Sequence, residues 1–155
     1  GGLTIGICNG FQILIQLGVF EKNFGSADRH ATLSTNDHGT FLNRWVKCTI
    51  TDQAAKSPWF KGMSGTIMMP MRHKEGRIQL KGEFVAHIPL RYTEDVNGAY
   101  NQGAALLDPT GQIFGLMPHP EAATQDFLNP LDVSGAEKTA NAKLISQFFK
   151  NAVGS

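Results

Sequence analysis

Gly6-Ile7-Cys8-Asn9-Gly10 sets a thiol between two glycines, in the pattern Gly-x-nucleophile-x-Gly. A nucleophile on a sharp strand-to-helix turn needs neighbours without Cβ atoms, so that backbones approach closely while its own side chain projects from the sheet end. A helix starting at Asn9 would offer free N–H groups and partial positive charge, which favours a thiolate and predicts a lowered thiol pKa. The Asn9 N–H, one residue past the nucleophile, is placed to donate to an oxyanion.

A thiol nucleophile needs a histidine to carry protons and a third group to orient it. Of His30, His38, His73, His87 and His119, the last has the best setting, in Gly115-Leu116-Met117-Pro118-His119-Pro120-Glu121. It follows an apolar run, and prolines on both sides favour extended backbone, in which residues two apart point the same way. Glu121 could then reach the ring of His119 and select its tautomer. His87 alternates with apolar neighbours and reads as structural, while His30 and His38 lie in polar loops. Taken singly, the two motifs also fit a tight turn around an inert thiol and a strand-end histidine beside a solvated carboxylate. Their occurrence in one chain favours chemistry.

Other chemistries lack their signatures. The cysteines and histidines show neither C-x-x-C nor H-x-x-x-H spacing for a metal, and no G-x-x-x-x-G-K-[ST] loop occurs for phosphate. Cys48 shares one face of an alternating segment with Val46 and Ile50 and reads as a buried small hydrophobe. Two such unlike cysteines suggest a reducing, cytoplasmic protein.

The elements that would position these residues follow from periodicity. Residues 3–7 form a β-branched run, and Phe11, Leu14 and Ile15 then recur at helical spacing up to Gly18, a C-terminal cap. Residues 21–40 have no period and read as a loop or broken strand. Strands are expected at 43–51, 65–71 and 83–92, the last ending near Pro89, with a polar connection over 72–82. Residues 104–107 and 112–117 flank Asp108-Pro109-Thr110-Gly111 as a hairpin. Ser134 and Glu137 make a capping box for a final helix whose apolar stripe is Leu144, Ile145, Phe148, Phe149 and Ala152. The class is α/β.

The whole chain has 155 residues, 17% charged and +1 net, with 17 glycines. Length alone suggests one domain. The charge balance lacks the basic footprint of a nucleic-acid binder. The longest apolar stretch, around Ile13 to Phe20, falls far short of the ~20 residues of a membrane span, and no signal peptide is visible. The chain opens on Gly1 and enters a strand almost at once, which points to further sequence upstream.

Gly6-Ile7-Cys8-Asn9-Gly10-Phe11-Gln12, together with Met117-Pro118-His119-Pro120-Glu121, closely resembles the class I (triad) glutamine amidotransferases, and among them the glutaminase component of phosphoribosylformylglycinamidine synthase. Asn43-Arg44-Trp45-Val46 after Gly39-Thr40-Phe41, His73-Lys74-Glu75-Gly76-Arg77, and Asn97-Gly98 resemble further family segments. The resemblance, over roughly residues 1–125, implies a flavodoxin-like fold without its N-terminal βα units. The 155 residues would then be part of a glutaminase domain, whose second oxyanion donor belongs to the missing segment. Carried over, Cys8 is the nucleophile, His119 the acid/base and Glu121 its orienting group. Asn9 serves the oxyanion, Gln12 lines the glutamine pocket, and His73, Glu75 and Arg77 approach glutamine or a partner. The resemblance implies no cofactor on this chain, with ATP and magnesium on a synthase subunit or fused synthase domain that receives the ammonia for formylglycinamide ribonucleotide.

Lys74, Val96 and Ala122 depart from the family's Gly, Pro and Arg, and Lys74 is expected to alter its loop. Two other readings stay open: a cysteine-dependent γ-glutamyl hydrolase, and a catalytically inactive docking module.

Overall fold

The computed structural model describes residues 2–24 and 27–154. The chain begins with strand β1 (Thr4–Ile7), turns at Cys8 and enters helix α1 (Asn9–Gln16). Strands β2 (Ala31–Thr35), β3 (Leu42–Ile50), β4 (Thr66–His73), β5 (Glu75–Leu80), β6 (Leu90–Tyr92), β7 (Ala105–Leu107) and β8 (Ile113–Leu116) follow, and helix α2 (Gly135–Val153) comes last. They form three small sheets, ordered β1-β8-β7, β2-β5 and β4-β3-β6. In the first, β1 runs parallel to β8 while β7 and β8 form the expected antiparallel hairpin.

The β1-β8-β7 sheet lies between two cores, and β8 shows why. Successive side chains point to opposite faces. Phe114 joins Trp59, Phe60 and Phe148 on one face, with ring centroids 5.3–6.0 Å from it. Gly115 opens the other face to α1: a Cβ there would lie 2.2 Å from the Phe11 ring. Gly6 does the same for the turn, since its Cβ would sit 2.8 Å from the Gly10 backbone. The helix therefore rests directly on the sheet and carries Phe11 and Ile15 into the second core.

Helix α1 closes as expected around Gly18. The Gly18 and Val19 N–H groups donate to the Ile15 and Leu14 carbonyls, with Gly18 at φ 71°. Helix α2 begins on the Ser134/Glu137 capping box and buries Ile145 and Phe148, with Leu144, Phe149 and Ala152 packed against the same core. Its buried Asn141 accepts from the Met68 N–H at 2.7 Å and donates to the Met68 carbonyl at 3.0 Å, occupying the free edge of β4.

Three expectations need correction. The stretch 21–40, read as a loop or broken strand, contains one short regular strand, β2, and the polar connection 72–82 contains β5; the two pair antiparallel. Each presents a polar face, with Ala31 and Ile78 buried between polar neighbours, so neither has the apolar density of an isolated strand. The third is the strand expected to end near Pro89. Regular structure begins after it, at Leu90, where β6 pairs with Cys48–Ile50 of β3. Among the described residues no helix is long and apolar enough to cross a membrane.

Candidate active site

Strands β1 and β8 are parallel, so both leave the sheet at the same end, where open α/β sheets gather their ligands. Ile7 lies opposite Leu116, and the Cys8 N–H donates to the Leu116 carbonyl at 2.9 Å. Cys8 thus leaves the sheet beside the segment that reaches His119 three residues later. Cys8 has φ 51° and ψ −106°, a strained conformation for a residue with a Cβ. Gly6 provides the close approach the motif predicts, whereas a Cβ on Gly10 would meet nothing within 4 Å, so only the first glycine is required sterically.

The edge of β4 gathers the two chemical groups. The His119 N–H donates to the Pro70 carbonyl at 2.8 Å, and the Cys8 thiol lies 3.8 Å from the Arg72 carbonyl, two residues along the same strand. Glu121 follows in a 3-10 turn, Pro120–Ala122, and its Oε1 lies 2.6 Å from His119 Nδ1. The expected pair forms, but by a turn instead of continued extended backbone. A carboxylate only accepts, so Nδ1 carries the hydrogen and Nε2 is left with a lone pair for proton transfer.

The expectation of a lowered thiol pKa is overturned. Burial of the half-buried Cys8 pushes it up, the Asn9 N–H opposes this, and the negative charge of Glu121 adds to the rise. The turn of an eight-residue helix does not outweigh desolvation. Cys8 is therefore chiefly a thiol near neutral pH, and its activation falls to a base. Cys48 is fully buried, its thiol pushed far up by desolvation, and both cysteines are free.

The residues expected around the substrate are placed less uniformly. Gln12, one turn beyond Cys8 on α1, donates its amide to the Glu75 carbonyl at 2.8 Å. The Glu75 side chain is exposed. Arg77 donates from Nε to Ser34 Oγ at 3.1 Å, spanning β5 and β2. His73 is buried, and among the described residues both of its ring nitrogens lack a hydrogen-bond partner. Its pKa falls to about 4, through desolvation first and then the nearby His119 and His38. Lys74 does not strain its loop, because the non-glycine residues with positive φ among those described are Cys8, Asn101 and Gln102.

A second histidine-carboxylate pair, unforeseen in the sequence, joins His30 Nδ1 to the buried Glu21 at 2.9 Å. The Glu21 carboxylate also accepts the His30 and Ala31 N–H groups. The Pro70 and Arg72 carbonyls that hold His119 and Cys8 were equally invisible, because backbone acceptors leave no mark on residue type. Among the described residues no group of three or more His, Cys, Asp or Glu is placed to hold a metal ion.

A strained cysteine turn and a carboxylate-oriented histidine, at one end of a sheet packed on both faces, define a layout for thiol-based acyl transfer. The chain belongs to the CobB/CobQ-like glutamine amidotransferase family, whose sequence model matches residues 1–154. It is 37% identical over 134 residues to the phosphoribosylformylglycinamidine synthase subunit PurQ of Thermotoga maritima, a match covering 85% of this chain and 57% of that one. The corresponding subunit of Methanococcus maripaludis is 30% identical, with 97% and 62% covered. Among solved structures, PurLQS from Thermotoga maritima superposes with a TM-score of 0.75 at 29% identity, over 97% of this chain and 62% of that one. A glutamine amidotransferase from the same organism, at 15% identity and a TM-score of 0.56, shares the fold. The chain spans about three fifths of the length of these relatives.

Proposed function

We propose that these residues carry the glutaminase centre of a phosphoribosylformylglycinamidine synthase, with glutamine as substrate and a synthase subunit, or a fused synthase domain, as the recipient of ammonia. The observation that carries this reading is the shared anchorage of Cys8 and His119 on Arg72 and Pro70 of β4, with Glu121 2.6 Å from the histidine. His119 Nε2 takes the thiol proton as Sγ attacks the side-chain carboxamide carbon. The carbonyl π electrons move to oxygen, and the Asn9 N–H stabilises the oxyanion. Collapse expels ammonia, protonated by His119, and leaves a glutamyl thioester. Water, deprotonated by His119, attacks the thioester; glutamate leaves and Sγ recovers its proton.

Gln12 belongs to the glutamine pocket in this reading, while ATP and magnesium act on the synthase component. Ammonia is consumed there to convert formylglycinamide ribonucleotide to the amidine. The two free thiols fit a reducing compartment, and we place the protein in the cytoplasm.

The test uses the full-length protein with its synthase component. Cys8→Ala should abolish glutamine-dependent turnover while leaving turnover on added ammonium, and an electrophilic glutamine analogue should label Cys8. Retention of glutamine turnover by Cys8→Ala would sink the assignment. Failure of the wild-type protein to be labelled would favour a docking role.

A further inference from the structure

The register of β2 against β5 slips beside the site. Ser34 pairs with Arg77 and Thr35 with Glu75, leaving Gly76 without a partner in the ladder. Such a bulge re-aims the backbone on either side of it. Here the group before the bulge is the Glu75 carbonyl, which takes the Gln12 amide at 2.8 Å and ties helix α1 to the first residue of β5. Directly against the bulge lies the His73 ring. A Cβ on Gly76 would stand 2.5 Å from its Cε1 and Nδ1 and 2.8 Å from Nε2. The ring is buried, and neither nitrogen has a partner among the described residues. An apolar side chain would fill that space without leaving two polar atoms unsatisfied.

We infer that His73 is a positioning residue whose ring, seated against the Gly76 bulge, holds the Glu75 carbonyl on the Gln12 amide and so sets the Gln12 wall of the glutamine pocket. The inference rests on the glutaminase reading. It separates two parts of the site, because Cys8 meets the backbone carbonyls of Leu116 and Arg72, which the His73 side chain does not supply. Releasing the clamp should therefore disturb substrate binding more than the nucleophile.

The experiment measures kcat and KM for glutamine, thermal unfolding, and iodoacetamide alkylation of Cys8 in the full-length protein with its synthase component. His73→Ala is expected to raise KM by about fivefold or more, with kcat and the alkylation rate within about twofold of wild type. Gly76→Ala should raise KM similarly alone, yet add less than about twofold to His73→Ala, since the ring it strikes is gone. Should Gly76→Ala fail to fold, Gln12→Ala replaces it: with the clamp already cut, His73→Ala should change KM no further. An unchanged KM in His73→Ala, multiplicative effects in either pair, or parallel losses in KM, alkylation and melting temperature would overturn the positioning role. Absence of glutaminase activity in the wild-type protein would instead remove the reading beneath it.

Discussion

At the residue scale, burial and charge decide how Cys8 and His73 behave. The Cys8 thiol is raised by desolvation and by Glu121, so its alkylation by iodoacetamide should titrate with a midpoint above that of an unhindered cysteine. A midpoint at or below the free-cysteine value, read from rate against pH, would contradict this environment. His73 titrates in the opposite direction. Its folded-state pKa of about 4 lies below the ordinary 6.5, so the unfolded chain binds a proton more readily between those values. Stability contributed by keeping the ring neutral is whole above about pH 6.5 and falls by up to about 3 kcal/mol as pH drops to 4. Urea unfolding at pH 7 and pH 4 should show a correspondingly smaller loss for His73→Asn than for wild type.

At the element scale, the outer edge of β4 is the organising feature. Met68 meets Asn141, the Pro70 carbonyl takes the His119 N–H, and the Arg72 carbonyl faces the Cys8 thiol. Groups two residues apart point to the same side of a strand, so one edge serves helix packing and chemistry together. Pro70 suits that edge because it has no N–H to leave unpaired. Asn141→Leu should cost about 2–4 kcal/mol, because two buried backbone groups of Met68 lose their partners, and chemical denaturation would measure it. A near-neutral result would mean that water replaces the amide. Strands β2 and β5 were unreadable from the chain for a related reason. Their pairing joins residues 40 to 49 positions apart, and each turns a polar face outward, which leaves too little apolar periodicity to distinguish a strand from a loop.

At the scale of the whole molecule, the β1-β8-β7 sheet couples two cores. Phe148 on α2 contacts Trp59, Phe60 and Phe114, so the last helix supports the strand that leads to His119. Phe148→Ala should lower the unfolding free energy by about 3–5 kcal/mol, measurable by denaturant titration. On the opposite face, Gly115→Val should push α1 off the sheet through its contact with Phe11 and carry the Cys8 turn with it. The expected outcome is a lower melting temperature together with slower labelling of Cys8 by an electrophilic glutamine analogue. Normal labelling in a destabilised protein would show that the turn holds its geometry without the helix contact.

What short-range chemistry encodes was legible in the residues alone. Gly6 beside Cys8 specified a strained turn, Ser134 with Glu137 specified a helix start, Asp108-Pro109-Thr110-Gly111 specified a hairpin, and His119 with Glu121 specified a pair. These depend on steric freedom, local hydrogen bonding and alternation over a few residues. Tertiary structure alone decided that Pro70 and Arg72 hold the histidine and the thiol, that Asn141 covers a strand edge, that Gly76 bulges over His73, and that the thiol pKa rises. Each of those depends on which distant backbone group arrives within hydrogen-bond reach and how much water it displaces, and residue type does not record either.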